Sequence, residues 1–192
     1  MNENNIGSLL AAPRYVECYT ALAKERIVFL SEDVTKDVAS ELSALLLHYD
    51  AENDTDDISI YINTNGGDAD ALANIYDVMQ MIKSPVKTIC IGKAYSAGAL
   101  LLAAGAKGKR LIAKNACVMI HGLQCLFPDT PLAHQKDTEI YFDWLQKHNR
   151  MILGILAKHT GKSIEKIEAD CKIDNYLDAK QALDYGIVDA II

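Results

Sequence analysis

Apolar positions along the chain fall into two rhythms. Ile27-Val28-Phe29-Leu30 and Val86-Lys87-Thr88-Ile89-Cys90-Ile91 are short β-branched runs, and Ile58, Ile60 and Ile62 alternate with Ser59 and Tyr61. Such runs predict strands. Between them, apolar residues recur every three to four positions. A helical pattern from Tyr15 leads to Lys24-Glu25-Arg26, and Val34, Val38, Leu42, Leu45 and Leu46 mark an amphipathic helix over 34–48. Ala51 to Asp57 is an acidic turn. Leu72, Ile75, Met79 and Ile82 mark a further helix, which Ser84-Pro85 stops. A small-residue helix follows Ser96, and 110–113 and 117–121 predict two more short strands. Residues 122–131 carry no period and read as a loop or irregular edge. The longest helical pattern covers 132–159 and ends at His159-Thr160-Gly161. A short helix from Ser163 to Asp170 follows, then a helix opened by the acidic capping box Asp178-Ala179-Lys180-Gln181 and closed by Gly186. Val188 to Ile192 predicts a terminal strand. Strands alternating with helices, with no linker between, predict an α/β fold class with mostly parallel sheets. The expected organisation is a loose leader over residues 1–14, Asn-rich and then Pro13, followed by a single domain over 15–192.

Composition narrows the function. The chain has 192 residues and half of them are apolar, enough for a globular core. A net charge of −7 argues against a nucleic-acid surface. No apolar run reaches the roughly 18 residues of a membrane span, and Met1-Asn2-Glu3-Asn4-Asn5 lacks the basic start of a signal peptide. The five cysteines, at 18, 90, 117, 125 and 171, form no C-x-x-C pair and read as reduced thiols of a cytoplasmic protein. His134, His148 and His159 lack metal-site spacing and read as solvated helix or loop residues. No metal and no cofactor is expected.

The chemistry concentrates at Gly92-Lys93-Ala94-Tyr95-Ser96-Ala97-Gly98-Ala99. One serine stands at a strand-to-helix turn between small residues that permit a sharp turn and close approach. An acyl-transfer nucleophile needs that place, because backbone donors at a helix N-terminus can meet its oxyanion. A serine there is also an ordinary helix N-cap. His121 closes the strand Cys117-Val118-Met119-Ile120, at a strand end where α/β sites gather. Gly66-Gly67 closes another strand and permits close backbone approach to a ligand. A third partner would be a carboxylate that orients the histidine. Asp170, Asp174 and Asp178 are the candidates. Asp178 is better used as a helix cap, Asp170 ends a polar helix face, and Asp174, with apolar neighbours on an irregular segment, is modestly preferred as a buried carboxylate. The order Ser…His…Asp, and Ala94 in place of the elbow glycine, do not fit the α/β-hydrolases.

With these residues in view, the chain resembles the ClpP family, the proteolytic subunit of the ATP-dependent caseinolytic protease. The matching pieces include Tyr61-Ile62-Asn63-x-x-Gly66-Gly67, Gly92-x-Ala94-x-Ser96-x-Gly98-Ala99, Ala103-Ala104-Gly105-Ala106-Lys107-Gly108-Lys109-Arg110, Met119-Ile120-His121, His159-Thr160-Gly161 and Ala182-x-x-Tyr185-Gly186-x-Val188-Asp189. The resemblance implies the ClpP/crotonase-like fold, with Ser96 as nucleophile, His121 as general base and Asp174 as the acid of the triad. It places the oxyanion hole at the backbone N–H groups of Gly67 and Ala97. It further implies two stacked seven-membered rings enclosing a chamber for peptide substrates, an AAA+ Clp ATPase docked at the axial pores, and a protruding handle over about 122–159. Ser59, Tyr61, Met81, Ile89, Ile91 and Leu111 fall on the pocket that receives the ATPase's hydrophobic loop.

Departures from the family pattern mark a divergent paralogue. Asn65 stands for the usual proline, Asp68 for an apolar residue, and Tyr95 and Ala97 flank the serine in place of alanine and methionine. Gly122-Leu123-Gln124-Cys125-Leu126-Phe127-Pro128 replaces the usual segment after the histidine, Ile173 replaces the arginine before the acid, and the short leader lacks the family's pore-loop sequence. Ser59 stands where a second tyrosine is usual. A ring of mixed composition with a second ClpP-type subunit is therefore a further expectation. Two other readings compete with the peptidase: a non-catalytic or accessory ring subunit, and a crotonase-type acyl-CoA enzyme, which has no use for a Ser-His-Asp set.

Overall fold

The computed structural model describes residues 13–124 and 135–192. Most of the expected leader and of the unperiodic stretch after Gln124 lies outside them, as do Cys125 and His134. The elements run α1 (Pro13–Lys24), β1 (Ile27–Leu30), α2 (Lys36–Glu52), β2 (Ile58–Thr64), α3 (Ala69–Met81), β3 (Val86–Tyr95), α4 (Ala97–Ala103), β4 (Arg110–Ile112), β5 (Cys117–Ile120), α5 (Gln135–Thr160), α6 (Ile164–Asp170), β6 (Asn175–Asp178), α7 (Ala179–Tyr185) and β7 (Ala190–Ile191). The chain is mixed α/β, and its sheet is mostly parallel.

β3 is the axis of the sheet. Its first half pairs in parallel with β2 on one side and with β4 on the other, as in Tyr61↔Ile89↔Leu111. β1 lies outside β2, and β7 outside β4. At Gly92 the strand adopts φ 81°, open to glycine without strain. A Cβ there would also stand 2.7 Å from Asn63 Oδ1. Past this bend Lys93, Ala94 and Tyr95 pair with Cys117, Val118 and Met119 of β5. The strand expected to end at Gly92 thus continues to Tyr95, because a second partner takes up its backbone groups. β5 in turn pairs antiparallel with β6, Ile120 opposite Asn175 and Cys117 opposite Asp178. The sequence predicts an irregular segment around Asp174, from Ile173 to Leu177, but Asn175–Asp178 is an edge strand with only Leu177 buried, so its apolar signal is weak.

Helix ends follow local chemistry. Thr35, not Val34, opens α2 by accepting a hydrogen bond from the Val38 N–H, and Val34 instead bridges to Gly67. Asp68 caps α3, Ser163 caps α6, and Asp178 with Gln181 forms the expected capping box of α7. Gly186 takes φ 91° after α7. The terminal strand is shorter than expected, only Ala190–Ile191. Leu42, Leu46, Ile60, Ile62, Leu72 and Ile75 join the wholly apolar α4 in the core. Leu45, expected on the buried face of α2, is 38% exposed. No described helix is long and apolar enough to cross a membrane.

One charged pair is buried near the base of this core. Arg110 is 5% exposed. Its Nη2 and Nε donate to Asp189 at 2.6 and 2.9 Å, and its Nη1 donates to the His159 carbonyl. Burial alone would raise the Asp189 pKa, but the hydrogen bonds and charge of Arg110 hold it below the usual carboxylate range.

Candidate active site

The turn from β3 into α4 carries Ser96 at φ 52°, ψ −118°. Arg26 is the other positive-φ non-glycine residue among those described. A non-glycine residue is rarely held there unless its surroundings impose it, and such strain gathers at functional sites. The surroundings are visible. The Ser96 N–H donates to the Met119 carbonyl at 2.8 Å, tying the turn to the end of β5. Gly66 presses from the other side, where a Cβ would stand 2.7 Å from both Ser96 Cβ and the Tyr95 carbonyl. Gly98 packs against Thr64, whose hydroxyl donates to the Glu32 carbonyl and accepts from the Gly66 N–H.

Ser96 occupies the N-cap position of α4, yet its side chain makes no capping bond. Ser96 Oγ lies instead 2.7 Å from His121 Nε2. The imidazole is placed by β5 and by the chain that follows it. The Gly122 N–H donates to the Cys171 carbonyl at 2.8 Å, and the Leu123 N–H to Asn149 Oδ1 of α5 at 2.7 Å. Those bonds bring the end of α6, and with it the segment to Asp174, beside His121. Asp174 Oδ1 lies 3.3 Å from His121 Nδ1. The angle is poor, so that buried Nδ1 has no well-formed hydrogen bond among the described residues.

Of the three candidate aspartates, the structure places only Asp174 at the histidine. Asp170 accepts from the Tyr185 hydroxyl at 2.7 Å and pairs with Lys166, while Asp178 is committed to its cap. Asp174 is not the buried carboxylate expected, since its side chain is 43% exposed. It sits next to the edge strand β6. Tyr176, two residues on, reaches its Oδ2 at 3.5 Å and packs edge-on against Tyr95.

Gly67 and Ala97 both line the cleft that holds Ser96 and His121. The Val34 N–H donates to the Gly66 carbonyl, and the Asp68 N–H to the Val34 carbonyl. In such a parallel bridge the N–H of the middle residue, Gly67, points to the opposite side. A Cβ on Gly67 would stand 2.4 Å from the Val34 carbonyl oxygen. Ala97 opens α4, so its N–H has no carbonyl one turn back.

Two histidines depart from expectation. His159 is half-buried beneath the Tyr76 ring, with Nε2 3.2 Å from the Tyr76 hydroxyl. Burial, then the charges of Lys158 and Arg110, depress its pKa to about 4. His148 faces the Ser96 cleft rather than solvent. A long helix presents every face somewhere, and periodicity alone does not say which face is covered.

The six residues expected to receive an ATPase loop distribute along one face of the sheet and its margin. Tyr61, Ile89 and Leu111 form a row in register, with Ser59 two residues before Tyr61, opposite Lys87. Ile91 lies two residues beyond Ile89, and Met81 ends α3 at 67% exposure. Sequence reasoning missed Phe29, which is in register with Tyr61 and stacks on it at 5.4 Å, with Tyr19 edge-on to Phe29 at 5.2 Å. The alternation of Val28 and Leu30 as buried residues was the available signal.

Cys90 and Cys171 are buried thiols, each pushed up to about 12 by burial, while Cys18 is exposed. A family model described as Clp protease matches residues 11–192.

Proposed function

The chain belongs to the Clp protease family, and on that premise we propose that it is a serine endopeptidase that cleaves peptides and unfolded proteins with Ser96, His121 and Asp174. The observation that carries this reading is Ser96 Oγ, free of capping duty, 2.7 Å from His121 Nε2. In the proposed reaction, His121 takes the Ser96 proton as Oγ attacks a peptide carbonyl. The Gly67 and Ala97 N–H groups donate to the tetrahedral oxyanion. His121 then gives its proton to the leaving amine, and a water repeats the sequence to release the acyl group. Asp174 stabilises the imidazolium through Nδ1. Its present 3.3 Å contact would tighten on binding, as hydrogen bonds in resting sites commonly do.

Family membership supports the rest of the reading: two stacked seven-membered rings in the cytoplasm, with the AAA+ Clp ATPase on the aromatic row of the sheet, and room for a second ClpP-type subunit. The deciding experiment is fluorophosphonate labelling with peptide turnover. Wild type should label at Ser96, and Ser96→Ala should lose labelling and about 10⁴ to 10⁶ in rate while remaining folded. Failure of wild type to label would favour an inert ring subunit instead.

A further inference from the structure

We propose that the cleft beside Ser96 selects a basic side chain, lysine or arginine, at the residue whose carbonyl is attacked, with Asp70 as the recognising carboxylate. This rests on the peptidase reading above. The cleft encloses about 1020 Å³ and is walled by apolar residues including Leu72, Leu100 and Ile152, which suit a methylene stem. Trp144 and His148 stack in it at 4.8 Å and 16°, and Tyr141 stacks on Trp144 at 6.1 Å and 20°. Such aromatic faces attract a cation.

The charges point the same way. Asp68, Asp70 and Asp174 line the cleft, and no lysine or arginine does so among the described residues. Asp68 Oδ1 is occupied, accepting from the Ala71 N–H at 2.8 Å. Asp70 is 67% exposed, and its nearest recorded polar contact is His148 Nε2 at 3.6 Å, too long for a hydrogen bond. That nitrogen is buried and without a hydrogen-bond partner among the described residues. An ammonium or guanidinium on Asp70 would make a charge-assisted bond at the solvent-facing side of the cleft. A leucine side chain finds the apolar wall but no partner for that carboxylate. A glutamate meets three like charges.

The test compares fluorogenic peptides that differ only in lysine, arginine, leucine or glutamate before the scissile bond, at low salt because exposed charge is screened. Lysine and arginine should exceed leucine about tenfold in kcat/KM and glutamate at least a hundredfold. Asp70→Asn should lower the lysine-to-leucine ratio about tenfold, and Asp70→Lys should raise the glutamate-to-lysine ratio. Ratios do not depend on the fraction of enzyme folded or assembled. Leucine at or above lysine in wild type, or a ratio unmoved by Asp70→Asn, would overturn the proposal. Fluorophosphonate labelling separates the two readings. A labelled enzyme with no basic preference sinks this inference alone, whereas an unlabelled one removes the peptidase reading and this one with it.

Discussion

Ser96 holds φ 52° because Gly66 and the end of β5 leave its turn no other shape. The same squeeze turns Oγ from the backbone donors of α4 toward His121. Three aspartates close in sequence have three different fates, decided by what each touches. Asp174→Asn should cut turnover by about 10⁴, because an amide enforces the wrong imidazole tautomer. Asp178→Ala should instead cost a cap, about 1 kcal/mol in thermal unfolding, with turnover per folded molecule kept. Steady-state rates on both variants, set beside their melting curves, check the assignment. An inactive Asp178→Ala protein with a normal melt would reverse it.

At the scale of elements, the end of α5 is bound to the sheet through a buried polar group. The His159 carbonyl accepts a hydrogen bond from Arg110 Nη1, while its ring sits under Tyr76. Its folded pKa, about 4, lies below the ordinary value of 6.5. The unfolded chain therefore binds this proton first as pH falls. Stability is fully present above pH 6.5, is lost on the way down to about 4, and the loss is complete below that. Because the ring is only half-buried, solvent screening keeps the loss below the roughly 3 kcal/mol that the full shift would give. The depressed carboxylates Asp170 and Asp189 act lower, losing their contribution as pH falls through their folded values. Urea unfolding at fixed protein concentration between pH 7 and 4.5 should show this slope in wild type. His159→Gln should flatten it. An unchanged slope in the variant would mean that another group carries the acid sensitivity.

At the scale of the whole molecule, the sheet presents an outward row, Phe29, Tyr61 and Leu111, with Ile89 in register between the last two but only 2% exposed, and Ser59 opposite Lys87 interrupts the row at its start. Covered aromatic area dominates this kind of contact, and a hydroxyl or a charge facing an apolar loop adds desolvation cost. Loop peptides from common Clp unfoldases should therefore dock weakly on a barrel built only from this chain. Ser59→Tyr should tighten that docking by roughly 1–3 kcal/mol per site, and the gain should multiply in ATP-dependent degradation because many sites engage together. Binding measured by fluorescence polarisation decides it. Tight binding by wild type with no gain from the tyrosine would remove the argument, with Phe29 as the residue that supplied the missing wall.

The chain's own pattern was enough for much of this. Strands β1, β2 and the first half of β3 were legible because β-branched runs there alternate with well-capped helices. The capping box at Asp178 and the stop at Gly186 were legible because caps are local chemistry. Ser96 and His121 could be picked out because each stands at a strand end, although the preference for Asp174 rested on family resemblance more than on its neighbours. Tertiary structure alone decided the rest, since each of those features depends on residues far apart in sequence. β3 runs past Gly92 because β5 waits to pair with it. β6 is a strand only because β5 offers an edge. His148 and His159 leave solvent because of what packs against α5, and Asp70 reaches the Ser96 cleft only when α3 and α5 meet there. Periodicity records which face of an element is apolar. It carries no record of which partner covers that face, and the polar groups of a site are positioned by the partner.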